Sequence, residues 1–473
     1  MPRVDTIDVD IEAVNLSGDG TAHHRGVAIA VPFTIPGERV RVSVEPPSTS
    51  LGPGRAALVE VLRASPHRVA GRCPHFGPAA EPGVGPCGGC TWQHIAYDEQ
   101  LRLKTEIVDR MVRAAAPDAP PAQMMRAATP ADTPWGYRRK IHFVFGSDSR
   151  RSNGPRRAPT SAKASAGSLT MGHYVRGSRR VVPVRECPVH DEKGNELAFR
   201  LHRSYASANI ASSDDARAGT LRSIAIRVAS HTAEVMATLV VADDTDKRLR
   251  TATRRALETA ALTSFHLNVH PKGDAFIFGR ETRRISGTER LREVVGGVSF
   301  LISPTAFFQT NVAAAEILVR LVRDAVPTGA SVLDLYAGSG LFALPLARAG
   351  HIVTAVEENR QAVADGEASR LLNRIPAERC RFIARRVEAA LSALPAAEVV
   401  VMDPPREGAS AAVLDAVFGG IRPRRTVYIS CSPDTLGRDL RVGVAHGYRV
   451  RSVQPVDMFP HTAHIETVVV VER

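Results

Sequence analysis

The chain has 473 residues, of which 44% are apolar and 23% are charged, with 36 glycines and 32 prolines. This composition excludes a collagen-like polymer, a small disulfide scaffold and an acidic disordered protein, and the length suits two to four domains. Lys and Arg exceed Asp and Glu by 61 − 49 = 12. A positive surplus of this size indicates a polyanionic partner, nucleic acid first, although a GC-rich genome that favours Arg and Ala produces the same surplus.

The termini and the cysteines bear on the location of the protein. No run of about 18 apolar residues occurs, and Met1–Asp10 carries acidic residues without the apolar core of a signal peptide. We therefore expect no transmembrane helix and a cytosolic protein. In a reducing compartment, cysteines serve more often as ligands or nucleophiles than as structural disulfides. The six cysteines are Cys73, Cys87, Cys90, Cys187, Cys380 and Cys431.

The first third of the chain contains three segments of different composition. Alternating valines and Gly/Pro turns over residues 1–62 predict a small closed β-barrel of OB type. A Pro/Gly/Cys-rich stretch, 71–91, is followed by an apolar i, i+4 pattern that predicts a helix around 98–115. Residues 148–168 combine Ser, Arg, Lys, Gly, Ala and Pro without periodicity, which predicts a disordered basic insertion.

The remaining chain predicts two further domains. Apolar strands at 221–228, 234–241 and 274–278 indicate a mixed α+β central domain. Later apolar runs alternate with helical patterns, as in the α/β class with a doubly wound, Rossmann-like parallel sheet, and a strand pair ends the chain. These runs are 331–336, 352–356, 398–402, 426–430, 448–453 and 465–471. The predicted domains are residues 1–62, 63–300 and 301–473.

A glycine-rich turn follows the first strand of the last domain. The segment Val332–Gly340 passes from a buried strand through Tyr336 into a Gly-rich turn, where a ligand can approach the backbone closely. The next strand ends in Glu357, a carboxylate placed to accept hydrogen bonds from ribose hydroxyls. The pattern is neither a Walker A loop nor GxGxxG. It therefore favours S-adenosylmethionine over NAD or ATP, the alternative being a purely structural turn.

Three further strand ends carry reactive groups. Asp403 ends an apolar strand and is followed by two prolines, which stiffen its loop. Cys431 follows another strand, where a helix N-terminus or a cation would favour its thiolate, whereas a free cysteine is ordinarily packed in a core, as we expect for Cys380. Glu466 stands at the start of the last apolar strand and would act as a base if desolvated, or remain a solvated strand end.

A set of four cysteines lies within the second predicted domain. Cys87 and Cys90 form a CxxC pair, Cys73 lies upstream, and Cys187 is followed by proline. Four thiolates in a cytosolic chain suit tetrahedral zinc or a [4Fe–4S] cluster, and ligand chemistry does not separate the two. The pair His461 and His464 lacks a partner carboxylate motif and gives weak evidence of a metal.

Together these motifs resemble the RNA uracil-5-methyltransferase family, in the branch with an N-terminal TRAM-type OB domain and an iron–sulfur cluster. The resemblance covers nearly the whole chain. It departs from the family in the long spacer between Cys73 and Cys87 and in the 148–168 insertion. The matching segments are Cys73–Phe76, Cys87–His94, Tyr137–Lys140, Cys187–Val189 and Phe307–Asn311.

The resemblance assigns roles to individual residues. It implies that Cys431 is the nucleophile and Glu466 the base. Residues implied to line the S-adenosylmethionine pocket are Gln309, Tyr336, Glu357 and Asp403. Ligands implied for a [4Fe–4S] cluster are Cys73, Cys87, Cys90 and Cys187.

These residues fit the chemistry of uracil methylation. Addition of the Cys431 thiolate to C6 of uracil would make C5 nucleophilic, and Glu466 would then remove the C5 proton. We expect a monomer acting on unstacked RNA, with 23S ribosomal RNA favoured over the uridine-54 position of transfer RNA. A cytosine-5 methyltransferase and a non-catalytic iron–sulfur RNA-binding protein are the competing classes.

Overall fold

The computed structural model describes residues 6–44, 54–78, 86–117, 124–147, 169–213, 219–259, 261–272 and 277–473. The predicted basic insertion 148–168 lies outside the described residues, as do residues 79–85 in the spacer between Cys73 and Cys87. Across the described ranges, no helix is both long and apolar enough to span a membrane.

The N-terminal strands form one six-stranded sheet in the order β1-β5-β6-β4-β3-β2. The predicted alternation is confirmed, since Val40 and Val42 point into a core that excludes solvent. The predicted closed barrel is also confirmed, because β1 and β2 are two halves of one bent strand and lie at the two edges of this order. Between them, the Ile11 amide donates to the Glu38 carbonyl and the Glu12 amide to the Thr21 carbonyl, both at 2.8 Å, so the sheet returns to its first strand. The strands are β1 (Thr6–Asp10), β2 (Ala13–Val14), β3 (Gly20–His24), β4 (Val27–Val31), β5 (Arg39–Val44) and β6 (Gly54–Arg63).

A seven-stranded mixed sheet forms the middle of the protein, in the order β13-β12-β11-β10-β7-β8-β9. Helices α2 (Glu192–Ser207) and α3 (Lys247–Thr259) contribute apolar side chains to its core. The strands predicted at 221–228 and 234–241 are confirmed, but residues 277 and 278 of the third prediction lie outside any strand, and 273–276 are not described. The strands are β7 (Lys140–Ser147), β8 (Leu169–Tyr174), β9 (Val181–Pro183), β10 (Leu221–Val228), β11 (Val235–Val241), β12 (Ser264–Val269) and β13 (Glu281–Gly287).

The C-terminal sheet has seven strands in the order β18-β17-β16-β19-β20-β22-β21. The first five are parallel, β22 is antiparallel to them, and β21 pairs antiparallel with β22 and so runs in the direction of the first five. This arrangement confirms the predicted doubly wound sheet with a terminal strand pair. Crossovers on both sides of β16 place the switch point between β16 and β19, where such sheets bind ligands. The strands are β16 (Ser331–Leu335), β17 (Ile352–Glu357), β18 (Cys380–Ala384), β19 (Val399–Met402), β20 (Arg425–Ser430), β21 (Arg449–Val456) and β22 (Glu466–Glu472).

Helices cover both faces of this sheet, and their apolar sides form its two cores. Asn311 caps the first helix by accepting a hydrogen bond from the Ala314 amide at 3.2 Å. The helices are α4 (Val312–Ala325), α5 (Ala343–Arg348), α6 (Arg360–Leu372), α7 (Val387–Ala390), α8 (Ala411–Asp415) and α9 (Pro433–Ala445).

Two segments that precede the sheet in sequence complete its cores. The hairpin of β14 (Leu291–Val295) and β15 (Val298–Ile302) buries its apolar side chains with those of α4. Helix α1 (Tyr97–Ala115), predicted at 98–115, packs against α9. Residues 125–129 then run along β21 and bond to it, which covers the edge of the sheet.

A buried ion pair holds α1 against the loop that leads into β22. The Lys104 ammonium donates to Asp457 at 2.6 Å and to the Phe459 carbonyl at 3.1 Å, and both charged side chains are wholly buried. A buried charge that loses its partner is costly, because nothing replaces the lost solvation.

We expect Lys104→Met to lower the free energy of unfolding by about 3–5 kcal/mol, because it leaves the Asp457 carboxylate buried without its cation. Urea titration followed by circular dichroism measures this change. The surface variant Arg113→Met, on the same helix and paired with the partly exposed Asp109, is the control and should cost less than about 1 kcal/mol. Equal effects of the two variants would contradict the account.

Candidate active site

The glycine-rich turn after β16 adopts a backbone that most side chains disfavour. Tyr336, Gly338 and Gly340 have φ angles of +65°, +55° and +86°. Glu357, at the end of β17, accepts hydrogen bonds from the Gly338 amide at 2.9 Å and the Asn359 amide at 2.7 Å. The carboxylate therefore ties the turn to the neighbouring strand and remains at the ligand-binding edge of the sheet.

Two acidic side chains lie at the switch point of the sheet. The Asp334 carboxyl on β16 is wholly buried, and in the described part of the chain neither oxygen has a hydrogen-bond partner of ordinary geometry. Burial, and then the nearby Asp403, raise its pKa well above the usual value, with a smaller opposing effect from the Ala343 amide. Burial also raises the pKa of Asp403 to about 7. The Asp334 carboxyl lacks donors, and the amino and hydroxyl groups of a ligand would supply them.

Strand pairing brings Cys431 and Glu466 together. In the antiparallel pair β20–β22, Ser430 lies opposite Thr467, so the next residues, Cys431 and Glu466, also face each other across the strand ends. Cys431 is half-buried, while Glu466 is 5% exposed. The thiol and the carboxyl therefore stand side by side at the edge that also carries Asp403.

This setting does not favour a thiolate in the free protein, contrary to the expectation for a cysteine after a parallel strand. Burial, and then Glu466 and Asp403, raise the pKa of Cys431 to about 11, against a smaller opposing effect of Arg406. Burial, and then Asp403, likewise raise the pKa of Glu466 well above its usual value. All three pKa values are raised for one reason: two carboxyl groups and a thiol share a poorly solvated space.

We expect alkylation of Cys431 by iodoacetamide to accelerate about tenfold per pH unit from pH 7 to pH 10, because only the thiolate reacts and its pKa is raised to about 11. Mass spectrometry of the Cys431 peptide measures the rate at each pH. Glu466→Gln should react faster at pH 8, since it removes a neighbouring negative charge. A rate that levels off near pH 8 in the unaltered protein would contradict the account.

The loop after Asp403 is anchored on helix α9. Asp439 on α9 accepts hydrogen bonds from the Tyr428 hydroxyl and from the Ala409 amide, the latter at 2.9 Å. Arg438 donates to the Glu407 carbonyl at 2.8 Å. The sequence analysis did not single out Asp439, since an acidic residue inside a helix ordinarily faces solvent.

The segment containing Gln309 joins the central sheet to the C-terminal one. Gln309 is 8% exposed and follows Phe307, whose ring is 70% exposed. The Thr310 carbonyl accepts from the Arg139 amide at 2.7 Å. Asn311 donates from its side chain to the Met458 carbonyl at 3.1 Å, in the loop before Glu466. This segment is therefore fixed at both ends.

The four clustered cysteines are brought together from three separate segments. Burial, with smaller effects of Cys90 and Cys73, raises the pKa of Cys87 to about 11. Burial, with smaller effects of Cys90 and Cys87, raises the pKa of Cys187 to about 12. Mutual repulsion among the thiolates shows that they are neighbours, and a bound cation would relieve it.

The donor set around these cysteines fits a metal. The thiols supply up to four soft ligands, which suits zinc or an iron–sulfur cluster. Cys187 also belongs to a second set of possible metal ligands, because the ligand atoms of His173, Cys187 and His190 lie within 4.8 Å of one another. The sequence analysis missed these two histidines because they are far apart in sequence.

The cysteine segment bonds directly to the loop before Glu466. The Thr91 and Trp92 amides donate to the His461 carbonyl at 3.0 and 2.9 Å. The His461 ring stacks on Trp135 with centroids 3.7 Å apart, and its Nδ1 lies 3.2 Å from the Gln100 amide nitrogen. His461 thus has a packing role, which argues against a metal pair with His464.

Comparisons with known proteins agree with this architecture. Residues 233–473 match the family model for tRNA (uracil-5-)-methyltransferases, and residues 3–46 match the model for the TRAM domain. An uncharacterised RNA methyltransferase from Gloeobacter violaceus is 35% identical over 99% of this chain and 96% of its own. Another from Halalkalibacterium halodurans is 32% identical over 99% and 97%.

The solved structures include a match over the whole length. The tRNA (uracil-54, C5)-methyltransferase of Pyrococcus abyssi, solved with S-adenosyl-L-homocysteine, has a TM-score of 0.76 and 24% identity, covering 98% of this chain and 100% of its own. At this identity the match establishes the fold. The family model and the relatives show that the protein is an S-adenosylmethionine-dependent RNA methyltransferase. The chain belongs to the tRNA (uracil-5-)-methyltransferase family and carries an N-terminal TRAM domain.

Proposed function

We propose that the protein transfers a methyl group from S-adenosylmethionine to C5 of one uridine in 23S ribosomal RNA, through a covalent bond between Cys431 and C6. The observation that carries this proposal is the placement of the Cys431 thiol opposite the Glu466 carboxyl by the β20–β22 register. The preference for ribosomal RNA rests on the resemblance to the branch with a TRAM domain and a cysteine cluster.

The reaction begins with a proton transfer and an addition. The Cys431 thiol gives its proton to the Glu466 and Asp403 pair, whose raised pKa values suit them to accept it. The sulfur then bonds to C6 of uracil, and the electron pair of the C5–C6 double bond becomes available at C5. S-adenosylmethionine supplies the methyl group that C5 attacks.

The reaction ends with proton removal from C5. The acid pair first releases the thiol proton to water, which leaves Glu466 ionised. Glu466 then takes the C5 proton, the C5–C6 double bond forms again, and the C6–sulfur bond breaks to return the Cys431 thiolate. A buried carboxyl with a raised pKa is a strong enough base for this step.

The methyl donor would bind at the carboxyl edge of the parallel strands. Tyr336 and Glu357 flank the glycine-rich turn, and Asp403 lies at the switch point. Their hydrogen-bonding groups suit the ribose and amino groups of S-adenosylmethionine. Gln309 would complete this site from the segment before α4.

Cys73, Cys87, Cys90 and Cys187 would hold a [4Fe–4S] cluster, which would fasten the segments that carry them. The cluster takes no part in the steps above. The TRAM domain, with the positive surplus of the chain, would contact the RNA backbone.

We expect protein purified without air to be brown and to contain about four irons and four acid-labile sulfides per chain. Elemental analysis and a sulfide assay measure both contents. Cys187→Ser should lower both, whereas Cys380→Ser should lower neither, since Cys380 lies on β18. One zinc per chain without sulfide would contradict the cluster.

Mapping 5-methyluridine in RNA from the native host with and without the gene tests the proposed function. The proposal predicts loss of one 5-methyluridine from 23S ribosomal RNA, restored by the unaltered gene and not by Cys431→Ala. Loss from transfer RNA alone would contradict the choice of RNA. Loss of 5-methylcytidine, or of no methylated base, would contradict the proposed reaction.

A further inference from the structure

Two cationic side chains converge on one backbone carbonyl between the central sheet and the C-terminal domain. The Lys140 ammonium on β7 and the Arg227 guanidinium on β10 donate to the Ala306 carbonyl at 3.4 and 3.2 Å. The two strands are neighbours, and Lys140 pairs with Arg227 in their register. The pairing of the two strands therefore places the two positive charges close together.

This pair carries more positive charge than its surroundings neutralise. Within the described ranges no carboxylate lies within 4 Å of Lys140 or Arg227. Burial, and then Arg227, lower the pKa of Lys140 to about 7, and burial lowers the pKa of Arg227 to about 10. Both pKa shifts follow first from burial, which disfavours the charged form of each side chain.

The nearest acidic groups are engaged elsewhere. Glu293 accepts hydrogen bonds from the Ser230 and His231 amides at 2.6 and 3.2 Å. Asp365 accepts from Arg290 and from the Ser303 amide, both at 2.8 Å. These carboxylates attract Arg227 only from a distance and form no ion pair with it. An anion from outside the chain would therefore neutralise the two cations.

The position of the site indicates the kind of anion. Ala306 directly precedes Phe307, whose ring is 70% exposed, and the same segment continues to Gln309. Lys140 is itself partly exposed and lies 5.5 Å from the Phe278 ring. Exposed rings beside cations are the usual means by which proteins hold single-stranded nucleic acid, the ring for a base and the cation for a phosphate.

We propose that Lys140 and Arg227 form a binding site for one phosphate group of the RNA strand next to Phe307. The inference rests on the proposed function in that the substrate is RNA, and it adds the place where the backbone is held. Lys140 is the accessible contact, while Arg227, which is 6% exposed, supports it from beneath.

The salt dependence of RNA binding tests the site. The probe is a fluorescein-labelled fragment of 23S ribosomal RNA transcript, and anisotropy is measured over a range of KCl concentrations. Lys140→Met should weaken binding about tenfold and make the slope of log affinity against log salt shallower by about 0.7, the contribution of one phosphate on a single strand. Lys140→Arg should keep both values.

Lys193→Met is the matched control, because Lys193 also donates to a backbone carbonyl, that of Ala233 at 3.2 Å, and is exposed on α2. It should leave the affinity and slope unchanged. The proposal would be overturned if Lys140→Met bound RNA with the same affinity and the same salt slope as Lys193→Met. Weaker RNA binding by Lys140→Met, with unchanged binding of S-adenosylmethionine, supports the phosphate site even if the methylated base is not uridine.

Amine labelling of the unaltered protein provides a second readout that needs no variant. Acetic anhydride at pH 7 should modify Lys140 readily, since a neutral amine is the reactive form and its pKa is near 7. Added RNA should protect Lys140 and leave Lys193 unprotected, as measured by peptide mass spectrometry. Protection by S-adenosylmethionine alone, or none by RNA, would overturn the assignment.

Discussion

Cys431→Ala is expected to lower the rate of methyl transfer by more than about a thousandfold, or ~4 kcal/mol in the activation barrier. Without the sulfur there is no addition at C6, and C5 of uracil remains too poor a nucleophile to take the methyl group. Binding of S-adenosylmethionine, measured by calorimetry, should remain, because the donor site proposed above, Gln309, Tyr336, Glu357 and Asp403, does not include the thiol.

Cys380→Ala is the matched control for this result. Cys380 is wholly buried on β18, two strands away from the switch point, and the proposed reaction does not use it. It should cost stability and leave the turnover of folded protein within about twofold. A Cys431→Ala enzyme that retained activity within about tenfold, ~1.4 kcal/mol, would refute the nucleophile.

Glu466→Gln is expected to stop the reaction at a later stage, with the RNA still bonded to Cys431. The amide cannot take the C5 proton, whereas Asp403, the other member of the acid pair, can still accept the thiol proton. Addition at C6 and methyl transfer therefore proceed. Denaturing gel electrophoresis should show a methylated protein–RNA adduct that accumulates, with release at least about a hundredfold slower than in the unaltered enzyme.

Glu472→Gln is the control on the same strand. Glu472 ends β22 and pairs with Arg425 and Arg451, far from the thiol. It should form no lasting adduct. Normal turnover of Glu466→Gln would mean that another base or a water molecule removes the C5 proton.

The sequence predicted which strand ends carry the reactive groups, for a physical reason. Parallel strands joined by helices place all their carboxyl ends at one edge, so Glu357, Asp403 and Cys431 had to share an edge once the strands were identified. The opposition of Cys431 and Glu466 was not predictable in this way. It depends on the antiparallel register of β20 and β22, which the continuous run of valines in β22 leaves open.

Burial explains most of what the sequence could not show. Lys104 lies in an amphipathic helix, where a lysine ordinarily faces solvent, yet it is wholly buried against Asp457. The raised pKa of Cys431 and the charge imbalance at Lys140 have the same origin, since both follow from the removal of water by segments distant in sequence. Apolar periodicity in the sequence identifies helices and strands, but it does not show which distant segments pack over them.

The covalent step is tested most directly with 23S ribosomal RNA transcribed with 5-fluorouridine in place of uridine. Fluorine at C5 cannot be removed as a proton is, so the reaction should stop with the methylated base bonded to the enzyme. Mass spectrometry of the digested complex should find a methylated fluorouridine on the peptide that contains Cys431. Methyl transfer that leaves Cys431 unmodified, or an adduct on another residue, would contradict the account.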